Sequence, residues 1–171
     1  FGLPCEKDNL RRIRALVGLV FQSPDDQLFS PTVYEDVAYG PIYQGLPADE
    51  VAARVEAALG AVGLQTAARR MPHHLSLGEK KRIALATVLS MQPQVLAFDE
   101  PSAGMDPRGR RGLIELLASL PQTLLVATHD LALVRAALPR TIVLDGGRLV
   151  ADGPTGQILA DDALLDAHGL R

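Results

Sequence analysis

At 171 residues, 47% of them hydrophobic, the chain is long enough to bury one core of ordinary size, and its length does not demand a second domain. Seventeen basic residues against 20 acidic give a net charge of −3, so no bulk positive field points to nucleic acid. No apolar run approaches the roughly 18–20 residues of a membrane span, and the opening residues are neither a signal nor a transit peptide, so any membrane connection is expected to run through a partner. The single cysteine, Cys5, excludes an intramolecular disulfide and fits a reducing compartment. Basic residues gather at 11–14, 80–82 and 108–111, each group expected to be a solvated helix face.

Residues 13–21 end in a compact apolar segment that reads as a strand, stopped by Gln22-Ser23-Pro24-Asp25-Asp26. A short helix is expected over 32–39 and broken by Gly40-Pro41; a longer, alanine-rich one opens at Pro47 and Asp49 and runs to Leu59. Gly63, Met71-Pro72 and His73-His74 make a loop, after which 75–90 reads as a helix carrying its own cap. Then the pattern alternates: strand 94–98, helix 107–119 opened by Asp106-Pro107, strand 123–127, helix 130–137, strand 140–144. Asp145-Gly146-Gly147 is a hairpin turn into strand 148–151, and Gly153-Pro154-Thr155 starts a terminal helix. Strands separated by helices imply an α/β fold on a parallel sheet.

The most informative stretch is Val95-Leu96-Ala97-Phe98-Asp99-Glu100-Pro101, an apolar strand that delivers two carboxylates to its carboxyl edge, because Pro101 cannot continue the ladder. Ligands of open α/β sheets bind at that edge. Asp99 is the candidate metal ligand; Glu100, turned to the opposite face by strand alternation, is the candidate proton acceptor. Gln22 and His129 also fall at strand ends, so the sheet gathers four polar residues on one edge. Ser76 and Glu79 have the spacing of a capping box, and with the side-chain-free Gly78 they also make a phosphate seat at a helix start. Asp130 is expected to cap the helix that follows it.

In the order and spacing of these residues the chain resembles the nucleotide-binding subunit of an ABC transporter. Gln22 matches the Q-loop, residues 75–79 the signature motif, 95–100 the Walker B strand, Ser102-Ala103-Gly104-Met105-Asp106 the D-loop, and His129 the switch histidine. The strings 17–40 and 76–86 further resemble the energy-coupling-factor importers, the cobalt and nickel type in particular. The resemblance implies a P-loop NTPase, RecA-like parallel-sheet core formed by 1–22 and 93–171, with an inserted helical subdomain at 23–92 that includes the signature.

It also implies ATP and Mg²⁺ as cofactors and a division of labour. Gln22 would contact the metal and the attacking water, Asp99 would hold Mg²⁺ through its water shell, Glu100 would polarise the water, and His129 would stabilise charge on the γ-phosphate. Ser76, Gly78 and Glu79 would contact nucleotide held by a second ATPase subunit, identical or different, paired head to tail, with Asp106 joining the two sites. Residues 30–43 would face an integral membrane coupling subunit, setting the protein peripherally on the cytoplasmic face of the membrane. The implied function is an ATPase that powers import of a small substrate, cobalt, nickel or a vitamin; the other readings are an ABC-type ATPase outside transport and a non-catalytic interaction remnant.

Two departures accompany the resemblance. The chain contains no G-x-x-x-x-G-K-[ST] run and no Gly-Lys dipeptide, so the expectation is a partial domain lacking the N-terminal P-loop portion and unable by itself to hydrolyse ATP. In the signature, Leu77 stands where glycine is usual, and would crowd the nucleotide. Glu79 stands where glutamine is usual, and would repel phosphate unless turned back to cap its helix.

Overall fold

Three short strands run parallel and side by side in the order β1 (Val17–Val20), β2 (Val95–Asp99) and β3 (Thr123–Ala127). They belong to a computed structural model in which residues 1–170 are described. The register sets Val20 opposite Phe98 and Asp99 opposite Ala127, so the carboxyl ends of all three strands lie on one edge. The α/β class on a parallel sheet is as the alternating pattern predicts.

Parallel neighbours need crossover connections, and helices supply them. Helix α1 (Leu10–Leu16) leads into β1, taking up residues 13–16 of the segment read as ending in a strand. Between β1 and β2 come α2 (Val33–Gln44), α3 (Ala48–Ala61) and α4 (Leu77–Leu89); between β2 and β3 comes α5 (Pro107–Ser119). One continuous core joins these layers, with Val33 and Val37 of α2, Val55 and Leu59 of α3, Ile83 and Leu85 of α4, Leu96 and Phe98 of β2, and Leu113 and Leu117 of α5 all buried. The last pair shows the i, i+4 spacing of a helix with one apolar stripe. Helix α4 lies directly on β1: a Cβ built on Gly18 would fall 2.0 Å from Val88 Cγ1, so only glycine permits this approach.

Helix α2 corrects an expectation. It starts at a capping box between Thr32 and Glu35 but is not broken at Gly40-Pro41, running instead to Gln44. Pro41 has no N–H for the Val37 carbonyl one turn back, which ordinarily ends a helix. Here the buried Ser90 hydroxyl supplies the missing donor, 2.8 Å from Val37 O, while also lying 2.9 Å from Thr87 O in its own helix.

After β3 the chain forms α6 (Leu131–Ala137), and the next strand departs from the alternation. Strand β4 (Arg140–Asp145) does not join the parallel sheet; it pairs antiparallel with β5 (Arg148–Pro154) as a separate hairpin. Gly146 and Gly147, both with positive φ (53° and 74°), make the two-residue turn between the paired Asp145 and Arg148, a geometry most residues resist. Helices α7 (Thr155–Ile158) and α8 (Asp162–Ala167) complete a small second cluster around Val134, Leu159 and Leu165. Among the described residues no helix is long and apolar enough to cross a membrane.

Candidate functional site

The strand edge brings Glu100 and His129 together. Asp99 is the last residue of β2, and Glu100 leaves the ladder with φ 42°, a left-handed backbone that costs a non-glycine residue about 1–3 kcal/mol. Glu100 is therefore set by a turned backbone and not by strand alternation. Its N–H donates to Ala127 O at 2.9 Å, and its carbonyl accepts from Lys81 Nζ at 3.2 Å and from the Ala103 N–H at 3.2 Å.

Three donors converge on its side chain. Thr128 Oγ1 donates to Oε2 at 2.9 Å, the His129 N–H donates to Oε1 at 3.0 Å, and His129 Nδ1 lies 2.7 Å from the same oxygen. Burial pushes the Glu100 carboxyl up, but the bonds from His129 and Thr128 outweigh it and hold the group below the usual glutamate range. Glu100 is thus ionised at neutral pH, with one lone-pair position still open for an incoming proton donor. The His129 side chain is 81% exposed, so the ring edge away from Glu100 faces the opening.

Behind this pair stands Asp130. Arg110 grips it with two guanidinium nitrogens, Nε at 2.6 Å from Oδ2 and Nη2 on Oδ1; Ser102 Oγ donates to Oδ2 at 2.6 Å and the Leu133 N–H to Oδ1 at 3.0 Å. Burial raises this carboxyl, yet Arg110, Ser102 and the helix N–H together hold it far below the ordinary aspartate range. The expected helix cap is present, and the ion pair is an addition that the sequence did not announce. Asp130 also donates its N–H to Thr128 Oγ1 at 3.0 Å, the hydroxyl that bonds Glu100. A chain of hydrogen bonds thereby runs from α5 through Asp130 and Thr128 to Glu100. Glu100, His129, Asp130, Arg110 and Ser102 line an open cleft of about 460 Å³ together with Gly104 and Met105.

The signature segment is a closed capping box. Ser76 caps α4 by accepting from the Glu79 N–H at 3.3 Å, while Glu79 Oε2 accepts from the Ser76 N–H and hydroxyl, both at 2.8 Å. Arg70 donates to the other Glu79 oxygen at 3.0 Å. The bonds from Ser76, its main chain first, lower the Glu79 pKa, with Arg70 assisting. Glu79 is therefore turned back on its own helix, as the capping spacing predicts. Leu77 leans on the loop after β2, 3.2 Å from where a Gly104 Cβ would sit, and Gly78 faces Met105 Cε. Asp106 accepts from the Arg108 and Gly109 N–H groups at 2.9 and 3.0 Å as the cap of α5, and these bonds lower its pKa.

The basic groups are not all solvated faces. Lys80 pairs with Asp25 at 2.6 Å and Arg110 holds Asp130, while Lys81 is only 6% exposed and reaches the carbonyls of Glu100 and Pro101. Burial lowers the Lys81 pKa, with the Glu100 charge opposing. Sequence reading also passed over Gln27, whose amide accepts from the Phe21 N–H and donates to Ala84 O and Thr87 Oγ1, fastening the segment after β1 to α4. Little in the local sequence marks these residues, because Pro101, Asp130 and Thr87 lie 20, 20 and 60 positions from Lys81, Arg110 and Gln27.

The side chains of Gln22 and Asp99 are exposed and, among the described residues, make no hydrogen bond, so the structure does not tie them to Glu100 or His129. Among the described residues no three His, Cys, Asp or Glu side chains converge as a metal cluster. One free carboxylate and one amide oxygen nonetheless suit Mg²⁺, a hard ion that keeps much of its water and takes phosphate oxygens in place of a full protein cage. The donor set fits a metal that arrives with a nucleotide.

Comparison with known proteins gives concordant results. Residues 2–103 match the sequence family described as "ABC transporter". A Gloeobacter violaceus protein named as an ABC transporter ATP-binding protein is 55% identical over 171 residues, covering 99% of this chain and 70% of that one. The energy-coupling factor transporter ATP-binding protein EcfA of Methanoculleus marisnigri is 47% identical over 168 residues, covering 96% of this chain and 61% of its own length. Among solved structures, cbiO1 of Clostridium perfringens, described as part of the ABC transporter complex cbiONQ, superposes with a TM-score of 0.85 at 37% identity, covering 98% of this chain and 68% of that chain. The fold is accordingly that of the ABC ATPases, a P-loop NTPase sheet with helices inserted between its strands.

Proposed function

The chain belongs to the ABC transporter family, and on that premise we propose that its strand edge is the hydrolytic centre of an ATP-driven importer of the energy-coupling-factor type. The carrying observation is the carboxylate of Glu100, ionised, held by three donors and in contact with His129 at 2.7 Å. A remnant kept only for interaction would need none of that arrangement.

Each residue has a task that follows from its surroundings. Glu100 accepts hydrogen-bonded protons at its carboxylate and has room for one more, so it orients a water and takes its proton as bond formation proceeds. Thr128 and the His129 main chain keep that carboxylate aimed; the exposed His129 ring, with Nδ1 on Glu100, would donate its far N–H to phosphate charge as the imidazolium, the form in which both ring nitrogens are donors. Asp99 and Gln22, whose side chains have no hydrogen-bond partner among the described residues, would hold the metal of Mg-ATP, which supplies charge neutralisation at the phosphates. Ser76 and Gly78 at the start of α4 would meet nucleotide bound by a second ATPase subunit placed head to tail, while Glu79 serves as a cap and Asp106 helps join the sites.

An integral membrane partner would dock on α2, where Tyr34, Tyr39, Ile42 and Tyr43 are exposed, holding the protein peripherally at the cytoplasmic face. The cargo is a small solute, with cobalt, nickel and a vitamin as the classes to assay. Residues 1–171 alone, without a phosphate-binding lysine loop, should not turn over, since several charge-assisted contacts of about 1.5–3 kcal/mol each are missing.

The test is Mg-ATP binding and steady-state hydrolysis by the whole protein and its Glu100→Gln variant. The expected result is unchanged binding with turnover reduced by about 100-fold or more. Equal turnover in the two proteins would refute Glu100 as the base.

A further inference from the structure

We infer that Lys81 is a positioning residue for this hydrolysis: from within α4 it fixes the main chain of Glu100, tying the helix that opens with Ser76 and Gly78 to the carboxylate beside His129. The inference rests on the proposed role of Glu100.

Lys81 is a buried cation with an unusual choice of partners. Its neighbour Lys80 reaches outward to Asp25, whereas Lys81 turns inward, 6% exposed, and donates to Glu100 O at 3.2 Å and Pro101 O at 2.9 Å. Among the described residues its ammonium forms no salt bridge, so its direct partners are two main-chain carbonyls, with the Glu100 charge acting on it only from beyond contact. Those two carbonyls belong to the residue pair at which the chain leaves β2, with Glu100 at φ 42°. Pro101 offers no N–H, so this turn lacks a donor that other sequences would have, and the Ala103 N–H alone closes it from within. Lys81 supplies donors from outside the loop. With the Glu100 N–H on Ala127 and its carbonyl on Lys81, both sides of the residue are anchored before its side chain meets Thr128 and His129.

The anchor sits on a rigid lever. Lys81 lies five residues after the cap Ser76 on the same helix, and near its start Leu77 touches the loop at Gly104. In a head-to-tail dimer that helix end covers the partner's nucleotide while Glu100 serves its own. Movement of the helix end on nucleotide engagement is therefore carried through Lys81 to the base of the other site, which links the two sites through one side chain.

The experiment uses the whole protein as wild type, Lys81→Met, Lys81→Gln, Lys81→Arg and Glu100→Gln, with Mg-ATP binding and the ATP dependence of turnover measured for each. Lys81→Met should bind nucleotide at wild-type stoichiometry with KM changed by less than about twofold, lose about tenfold in kcat, and show a Hill coefficient nearer to one. Lys81→Arg, which keeps a cation with several N–H donors, should recover most of the loss. Should Lys81→Met not fold, Lys81→Gln carries the same test, its shorter neutral amide giving a smaller loss in kcat at unchanged KM. A folded Met or Gln variant with wild-type kcat and Hill coefficient overturns the inference, as does a loss matched by an equal loss of bound nucleotide. Wild-type protein that does not hydrolyse ATP, or Glu100→Gln protein that does so undiminished, would sink the proposed function itself, whatever Lys81 shows.

Discussion

The edge of the parallel sheet and the outer face of α2 are built on opposite terms. At the edge, Glu100, Thr128, Asp130, Arg110 and Ser102 hold one another through hydrogen bonds, most of them to a carboxylate, so these side chains are oriented by partners within the chain. On α2 the capped helix displays Tyr39, Ile42 and Tyr43 to solvent, with Phe29 stacked edge-on to Tyr39 at a centroid distance of 5.1 Å. Below that face, the buried Asp36 accepts from the Phe29 and Ser30 N–H groups with one oxygen and leaves the other unpartnered. The contrast teaches how differently two regions of one chain can be held: one is made precise by internal polar contacts, the other keeps an apolar face exposed, the face proposed above for a membrane partner.

The largest expected effect would break the polar side of that contrast. His129→Ala removes the ring at Glu100 and should lower turnover of the whole protein by about 100-fold with nucleotide binding retained, read by steady-state kinetics against equilibrium binding. Next comes Arg110→Ala, which leaves the carboxylate of Asp130 short of its main partner and should cost about 1.5–3 kcal/mol in urea unfolding at pH 7. Asp130 has a folded pKa below its unfolded value, so the pair contributes fully above the ordinary carboxylate range and is lost as pH falls through the depressed value. The deficit of Arg110→Ala should be the same at about pH 7 and pH 5 and shrink below about pH 4. A deficit that instead grows on acidification would contradict the assignment.

A third test sharpens the comparison inside α2. Ser90→Ala orphans the Val37 carbonyl beneath Pro41 and should cost about 1–2 kcal/mol; adding Pro41→Ala restores an N–H there and should return much of the loss. The smallest effect belongs to the exposed face. Ile42→Ser with Tyr43→Ser should change unfolding free energy by no more than about 0.5 kcal/mol, while weakening association with the membrane partner. A large stability loss there would mean the face is part of the core and not a docking surface.

Much of this was legible locally. The span of α5 from its Asp-Pro start, β3, the Ser76–Glu79 box and the Gly-Gly hairpin are each written within a few residues, and the structure matches them. The edge itself was legible because parallel strands must end together, which placed Glu100 near His129. What the local pattern concealed depends on distant partners. Gly40-Pro41 reads as a stop until Ser90, 53 residues on from Val37, supplies a donor. Lys81 and Arg110 read as solvated charge until the fold sets Pro101 and Asp130 beside them. Strand β4 has the composition of a sheet strand but leads into a turn that pairs it with β5, and no periodicity within β4 distinguishes those fates.

The contact of β1 with α4 at Gly18 has a consequence for how such a molecule can vary. Glycine is already the smallest residue, so every substitution at 18 adds volume and none subtracts it. All change there pushes α4 in a single direction, away from the sheet. Position 18 is thus a one-sided stop, and the spacing that sets Lys81 against Glu100 can be loosened by point mutation at this contact but never tightened.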